Sequence, residues 1–162
     1  MNKSTRVEEF VQGLESSGMG ADFNPFYLAY FQCFNSGHYY EAHDVLEHLW
    51  LKDGREGADY AFYKGLIQLA GAFVHLRLQY LHPEHPKHRV RLHPARRLFL
   101  LSQSNIVNYG KIHRGLALDV PLGLAHGMAL FLEKTQCLRN PWDPGSLPRL
   151  PMPSLNFEGS VW

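Results

Sequence analysis

The chain has few cysteines, little net charge and no long apolar run. Cys33 and Cys137 are the only cysteines among its 162 residues, and neither stands in a metal-binding or redox spacing. Both fall inside apolar helical patterns, so we interpret them as buried thiols in a reducing cytoplasm. No apolar run approaches the roughly 20 residues that cross a membrane, and the N-terminal residues contain no apolar signal core. We therefore expect a cytoplasmic protein with no membrane partner.

The patterns that accompany nucleic-acid binding and nucleophilic catalysis are also missing. The net charge is only +1, so the protein as a whole does not attract nucleic acid electrostatically. The basic residues between Lys87 and Arg97 contain no recognised nucleic-acid-binding motif. There is no Gly-x-Ser-x-Gly turn and no glycine-rich phosphate loop. We expect no nucleic-acid partner, and nucleophilic catalysis finds little support.

Helical periodicity dominates what is present, and no segment alternates convincingly with the period of a strand. We predict an all-α fold, a compact bundle of about five to six helices that forms one domain over residues 1–162. Five prolines after Arg139 predict an irregular tail over 139–162, held to the body by apolar side chains. The predicted helices run over 5–14, 24–34, 37–50 and 59–80, with one more starting at Pro94 and another at Asp119. The apolar side chains predicted to hold the tail are Trp142, Leu147, Leu150, Phe157 and Trp162.

The segment 37–50 places polar groups where a helix should be apolar. At about 100° per residue, His43 and Glu47 lie one turn apart on the same face, and Trp50 continues the row. Most of the apolar side chains share that face, whereas Asp44 and His48 point the other way. We therefore expect His43 and Glu47 to face the core and His48 to face water. Buried polar groups are costly unless they are paired or used.

The helix predicted over 59–80 offers a counterpart to this pair. It is apolar on both flanks, which predicts a central position. Between the flanks runs a strip of small and polar residues that includes Lys64, Gln68 and His75. Small residues allow another helix to approach closely, and we infer that this neighbour is the helix of His43 and Glu47.

Two interpretations of these residues stay open. In the first, His43, Glu47 and His75 bind a divalent metal with an open position for water, or the pair His43 and Glu47 is catalytic. Trp50, Lys64 and Gln68 would then contact the ligand, and Lys64 would favour a small anionic substrate. In the second, which the residue pattern favours, Glu47, His43, Gln68 and His75 form a hydrogen-bond network that fixes the register of two helices.

The segment 82–97 combines histidine, proline and arginine without apolar period, which predicts a loop before Pro94. Its histidines could hold a transition metal loosely, and its arginines could attract phosphate. A solvated loop is the simpler interpretation. The histidines are His82, His85, His88 and His93.

The segments described above resemble the domain of unknown function 309 family. The His-x-x-x-Glu-x-x-Trp helix of that family is present as His43-Asp-Val-Leu-Glu47-His-Leu-Trp50, and the segments 34–42 and 64–75 are similar as well. The resemblance extends from about Phe26 to Leu78, and a family-like core would span about 22–138. It implies a small all-α bundle and marks His43, Glu47 and Trp50, but it implies no activity.

Two functional hypotheses follow. The first is a small-molecule or divalent-metal site at the junction of His43, Glu47, Gln68 and His75, with hydrolysis as one option. The second is a non-enzymatic helical interaction module in which these residues form a structural network. Its Gly37-x-Tyr39 pattern resembles tetratricopeptide hairpins, although no repeat of about 34 residues follows. The aromatic content of 13% is compatible with a homodimer.

Overall fold

The computed structural model describes residues 2–15 and 22–155. This part of the chain contains six α-helices and two very short strands, which confirms the all-α prediction. None of its helices combines the length and apolar composition needed to cross a membrane. The helices are α1 (Lys3–Glu15), α2 (Pro25–Asn35), α3 (Tyr39–Asp53), α4 (Tyr60–Leu81), α5 (Leu92–Ile106) and α6 (Asp119–Lys134); a 3₁₀ turn (Val107–Tyr109) precedes the strands β1 (Ile112–His113) and β2 (Leu116–Ala117).

Local sequence signals set the α2–α3 hairpin. The Asn24 side chain accepts a hydrogen bond from the backbone N–H of Phe26 at 2.9 Å, and Pro25 occupies the first helical turn, where its missing N–H costs nothing. Gly37 adopts a φ of 79°, which favours glycine and lets the chain reverse into α3. The predicted helical hairpin is confirmed.

Helix α4 is the centre of the bundle, as its two apolar flanks predicted. It makes its most extensive contacts with α5 on one side and with α3 on the other. Aromatic residues of α2 fill the space beneath it, with edge-to-face contacts such as Phe34 against Phe73, whose ring centroids are 5.4 Å apart. Its large, completely buried side chains are Phe62, Leu66, Leu69, Phe73 and Leu76.

The small residues of α4 contact α5, and the prediction that they face α3 is wrong. A Cβ atom at Gly65 would lie 2.5 Å from Ile106 Cγ1, so the two helices touch backbone to side chain. The buried Ser102 hydroxyl donates to the Gly65 carbonyl at 2.7 Å and fixes the crossing. Helical periodicity identified the strip of small residues but not the helix that packs on it, because α3 and α5 both present apolar faces to α4.

The proline-rich tail packs on the body as predicted. Trp142 and Leu150 are buried, Leu147 is half-buried, and the predicted anchors Phe157 and Trp162 lie outside the described residues. The Trp142 indole N–H donates to the Tyr39 hydroxyl at 3.0 Å. The tail thereby covers the end of the α3–α4 pair at which Tyr39 lies.

The strands form a hairpin that the sequence did not predict. The prediction for 110–115 was a break between helices, but β1 and β2 pair antiparallel across a two-residue turn at Arg114 and Gly115, whose φ angles are 50° and 70°. Positive φ at both central residues is the geometry of a tight hairpin turn. Strands of two residues are too short to show alternation, so periodicity could not reveal them.

We expect Gly65→Ala to lower the free energy of unfolding by about 1–3 kcal/mol, because its methyl group would overpack the α4–α5 contact. The matched control is Gly127→Ala in α6, where an added Cβ meets nothing within 4 Å. That change should be neutral or raise stability by up to about 1 kcal/mol, the helix-propensity difference. Urea denaturation measures both, and equal effects would contradict a tight crossing at Gly65.

Candidate functional site

Helix α3 packs against α2 and α4 and also contacts α1, and the predicted pair lies on the part of its surface between α1 and α4. His43 Nε2 is 3.6 Å from Glu47 Oε2, and His43 Nδ1 is 3.1 Å from Asp44 Oδ1. The Lys3 ammonium of α1 lies 2.7 Å from Glu47 Oε1 and 3.3 Å from Asp44 Oδ1. The side chains of His43 and Glu47 are 30% and 26% exposed, so the pair is half-buried and already has ionic partners.

The prediction that His48 faces water is wrong. Its side chain is only 8% exposed, and its ring stacks on Phe26 with centroids 4.6 Å apart. Helix α1 lies over the face of α3 that helical periodicity had assigned to solvent. Tyr40, an aromatic side chain that shares the face of His43 by helical periodicity and was therefore expected to pack, is 63% exposed. Helical periodicity shows which face of a helix is more apolar, but it cannot show that a second helix covers the more polar face.

Several cavities adjoin α3, and two of them contain predicted site residues. The first, which we call the α3–α5 groove, has a volume of about 250 Å³ and is lined by His43, Gln68 and His75 together with apolar side chains. The second, the α1–α3 cleft, has a volume of about 370 Å³ and contains Glu47. The contact between His43 and Glu47 therefore runs along the ridge that separates the two cavities.

Gln68 and His75 are held by α5 and by the residue before it. Asn105 donates to Gln68 Oε1 at 2.7 Å, and the Arg91 guanidinium donates to His75 Nδ1 at 2.8 Å. Burial, together with the charge of Arg91, lowers the pKa of His75 below its ordinary value. His75 is therefore neutral at pH 7, with its Nδ1 as acceptor and its proton on Nε2. The network predicted among Glu47, His43, Gln68 and His75 stays a prediction, and each of these residues has partners outside the set.

Trp50 and Lys64 line neither cavity. The Trp50 ring packs on Tyr60 with centroids 5.1 Å apart, and the Lys64 ammonium lies 5.8 Å from the centroid of the same ring. Among the described residues, the buried indole N–H of Trp50 has no hydrogen-bond partner. The ligand-binding roles predicted for Trp50 and Lys64 stay predictions.

Within residues 2–15 and 22–155, no group of three or more His, Cys, Asp and Glu residues could hold a metal ion. Cationic groups lie against two of the predicted ligands, Lys3 at Glu47 and Arg91 at His75. The loop histidines do cluster, with the ring centroids of His85 and His88 4.5 Å apart, but His88 Nδ1 accepts a hydrogen bond from Arg91 at 2.7 Å. A divalent metal at His43, Glu47 and His75 stays a prediction.

The comparison with known families agrees with the resemblance. Residues 27–83 match the family described as Domain of unknown function (DUF309). The matched DUF309 region covers most of α2 and all of α3 and α4, and therefore His43, Glu47, Gln68 and His75. It stops before Arg91 and Asn105, which hold the α4 side of the groove. No curated protein and no solved structure matches the chain significantly.

A third polar cluster, which sequence reasoning missed, joins the DUF309 region to the hairpin beyond it. Asp59 is 4% exposed, His113 Nε2 lies 2.5 Å from its Oδ1, and the Arg114 guanidinium donates to its Oδ2 at 2.6 Å and 3.1 Å. The partners are more than 50 residues apart in sequence, so no local spacing reveals them. The one available signal is an acidic residue directly before an apolar helix.

The electrostatics of this cluster favour the ionised form of Asp59. Burial by itself would raise its pKa, but the hydrogen bonds and charges of Arg114 and His113 outweigh burial and lower it below the ordinary value. The same carboxylate, with burial as the larger cause, raises the pKa of the Tyr63 hydroxyl to about 12. The cluster links the β1–β2 hairpin to the start of α4 through the contacts of His113 and Arg114 with Asp59.

Glu47→Ala should lower the free energy of unfolding by only about 0.2–1 kcal/mol, because a partly exposed ion pair with Lys3 contributes little. The loss should shrink in 1 M NaCl, which screens exposed charges. Glu133→Ala is the matched control, since Glu133 is exposed on α6 and has no ion-pair partner in the part of the chain that the structure describes. A salt-independent loss of about 3 kcal/mol or more would indicate a buried network instead.

Asp59→Asn should lower the free energy of unfolding by about 1–3 kcal/mol at pH 7, because Arg114 and His113 lose their anionic acceptor. The folded pKa of Asp59 is lowered, so its contribution is complete above the ordinary value of about 4 and is lost as the pH falls through the folded value. Stability of both proteins, measured from pH 7 to pH 2, should therefore converge at acidic pH. Asp143→Asn, an exposed site in the tail, is the control.

Proposed function

We propose that this chain binds a small organic anion in the α3–α5 groove. The observation that carries the proposal is that His43, Gln68 and His75, from two helices, line one cavity. Polar groups on an otherwise apolar wall are typical of small-molecule sites, where they orient the ligand. This function concerns binding and requires no metal.

The charges around the groove favour an anion. The Arg91 guanidinium contacts the Nδ1 atoms of His75 and His88, and no carboxylate lies within ion-pair distance of it among the described residues. Neutral imidazoles hold the guanidinium without cancelling its charge. The charge therefore acts on the groove through His75, whose Nε2–H is left as a donor.

The apolar wall sets the size and character of the ligand. Ile67, Val74 and Leu98 line the groove, and Gly71 leaves space against Leu98. A volume of about 250 Å³ is near the lower end of the range for ligand pockets. It suits a molecule of metabolite size with an apolar body and one anionic group.

Hydrolysis by His43 and Glu47 stays a prediction. Both ring nitrogens of His43 lie near carboxylates, of Asp44 and of Glu47, and Lys3 contacts both carboxylates. Because both ring nitrogens face carboxylate oxygens of the chain itself, neither is directed at a substrate. The geometry therefore supports binding better than proton transfer.

Benzoate and phenyl phosphate are suitable probes, with benzyl alcohol as the neutral control. NMR titration should show shifts in the His75 and Gln68 signals for the two anions and smaller ones for the alcohol. Arg91→Gln should weaken anion binding about tenfold, because the guanidinium that holds His75 at the groove loses its charge; a tenfold change corresponds to about 1.4 kcal/mol.

Gly71→Leu should abolish binding by filling the groove, whereas Gly127→Leu, an exposed site on α6, should leave it unchanged. Anion binding that survives Gly71→Leu, or that is unaffected by Arg91→Gln, would refute the proposed site.

A further inference from the structure

A further cavity adjoins the α3–α5 groove, and we call it the Arg77 cavity. It has a volume of about 250 Å³ and is lined by residues 37–41 at the start of α3 and by Val74, Arg77 and Leu78 of α4. Tyr40 and Val74 line the groove as well, so the two spaces meet at these side chains. A ligand in the groove therefore has a second space beside it.

Arg77 gives this cavity a positive charge that no ion pair neutralises. Its side chain is exposed, and no hydrogen bond or ion pair joins its guanidinium to another residue in the described parts of the chain. Burial raises the pKa of the Tyr39 hydroxyl, whereas the hydrogen bond from Trp142 and the charge of Arg77 lower it. The guanidinium therefore acts on a side chain that lines the cavity.

We propose that the ligand of the α3–α5 groove carries two anionic groups. One binds at His75 and Arg91 in the groove, the other binds at Arg77, and an apolar segment between them passes Tyr40 and Val74. This inference rests on the function proposed above and names the class of ligand, a dicarboxylate or another small molecule with an anionic group at each end.

The two cationic ends differ in how they hold an anion. In the groove, the guanidinium of Arg91 is engaged by imidazoles, so its charge reaches the ligand through the Nε2–H of His75. This end by itself suits one anionic group. In the Arg77 cavity the guanidinium has no protein partner among the described residues, so its planar fork is free to bind a carboxylate with two parallel hydrogen bonds.

Apolar side chains line the path between the two ends. Val74 lies where the cavities meet, and Leu78 continues the apolar surface of α4 into the Arg77 cavity. The Tyr40 ring is 63% exposed, and it stacks on His43 with centroids 6.3 Å apart. An apolar segment that passes this ring would remove its exposed surface from water, which favours binding.

Two anionic groups on one molecule exploit both cations better than one group does. A ligand with one carboxylate satisfies one end and leaves the other cation to water. The second group of a dianion binds within the same molecule, so it adds an interaction without a second loss of translational freedom. The ligand must be long enough to pass Tyr40, and a range of chain lengths is needed to test this.

Calorimetric titration of the full chain compares pimelate, suberate and sebacate, each with its own monomethyl ester. An ester keeps the length of its diacid and loses one charge. We expect at least one diacid to bind about fivefold more tightly than its ester, the effect of an exposed ion pair of about 1 kcal/mol. This advantage should shrink in 1 M NaCl.

Arg77→Gln should abolish the advantage of the diacid and leave the affinity for benzoate unchanged. Arg97→Gln, an exposed site on α5 that lines neither cavity, is the matched control and should change neither affinity. Circular dichroism confirms that each variant is folded. An advantage that survives in Arg77→Gln, or that Arg97→Gln also removes, would overturn the assignment of the second anionic group to Arg77.

The titrations separate this inference from the function on which it rests. If benzoate binds in the groove but no diacid binds more tightly than its ester, only the second anionic group is refuted. If neither benzoate nor any diacid binds, the groove itself is refuted as an anion site and the inference falls with it.

Glu41 provides a test with the opposite sign. It also lines the Arg77 cavity, and its carboxylate is exposed and beyond ion-pair distance of Arg77. Glu41→Gln removes a negative charge beside the proposed second anion, so at low ionic strength it should strengthen diacid binding and leave benzoate binding unchanged. Diacid binding that stays the same or weakens would contradict an anion in this cavity.

Discussion

The close crossing of α4 and α5 at Gly65 is the constraint on which the rest of the structure depends. The absence of a side chain brings the backbone of α4 against Ile106, and the Ser102 hydroxyl closes the contact with a buried hydrogen bond. One turn farther along, the same crossing places Asn105 on Gln68. Because α4 is locked to α5, α3 can only pack on its other side, and the groove is the space left among the three helices.

Helix α1 has a comparable influence on the other face of α3. It brings Lys3 to the carboxylates of Asp44 and Glu47 and covers His48. The His-x-x-x-Glu pair therefore stands between two cavities of different character, an apolar groove on one side and a charged cleft on the other. The matched family region includes α3 but neither α1 nor α5, so both cavities are completed by residues outside it.

Much of the fold could be predicted because it rests on local signals. The Asn24–Pro25 start of α2, the reversal at Gly37 and the apolar flanks of α4 each act within a few residues and appear where periodicity and capping placed them. The contact between His43 and Glu47 follows from helical spacing, but the pair is half-buried rather than facing the core as predicted. The hairpin escaped prediction, because its two-residue strands depend on a turn at Arg114 and Gly115 and on a carboxylate far away in sequence.

The sequence by itself determined the helices, the central place of α4 and the pairing of His43 with Glu47, since these depend on the identity and spacing of neighbouring residues. Only the tertiary structure decided that α5 approaches the small residues of α4, that Arg91 holds His75, and that α1 buries His48. The physical reason is the same in each case. A helix defines its own faces, but which neighbour covers a face depends on the packing of the whole chain, where several apolar surfaces compete for one position.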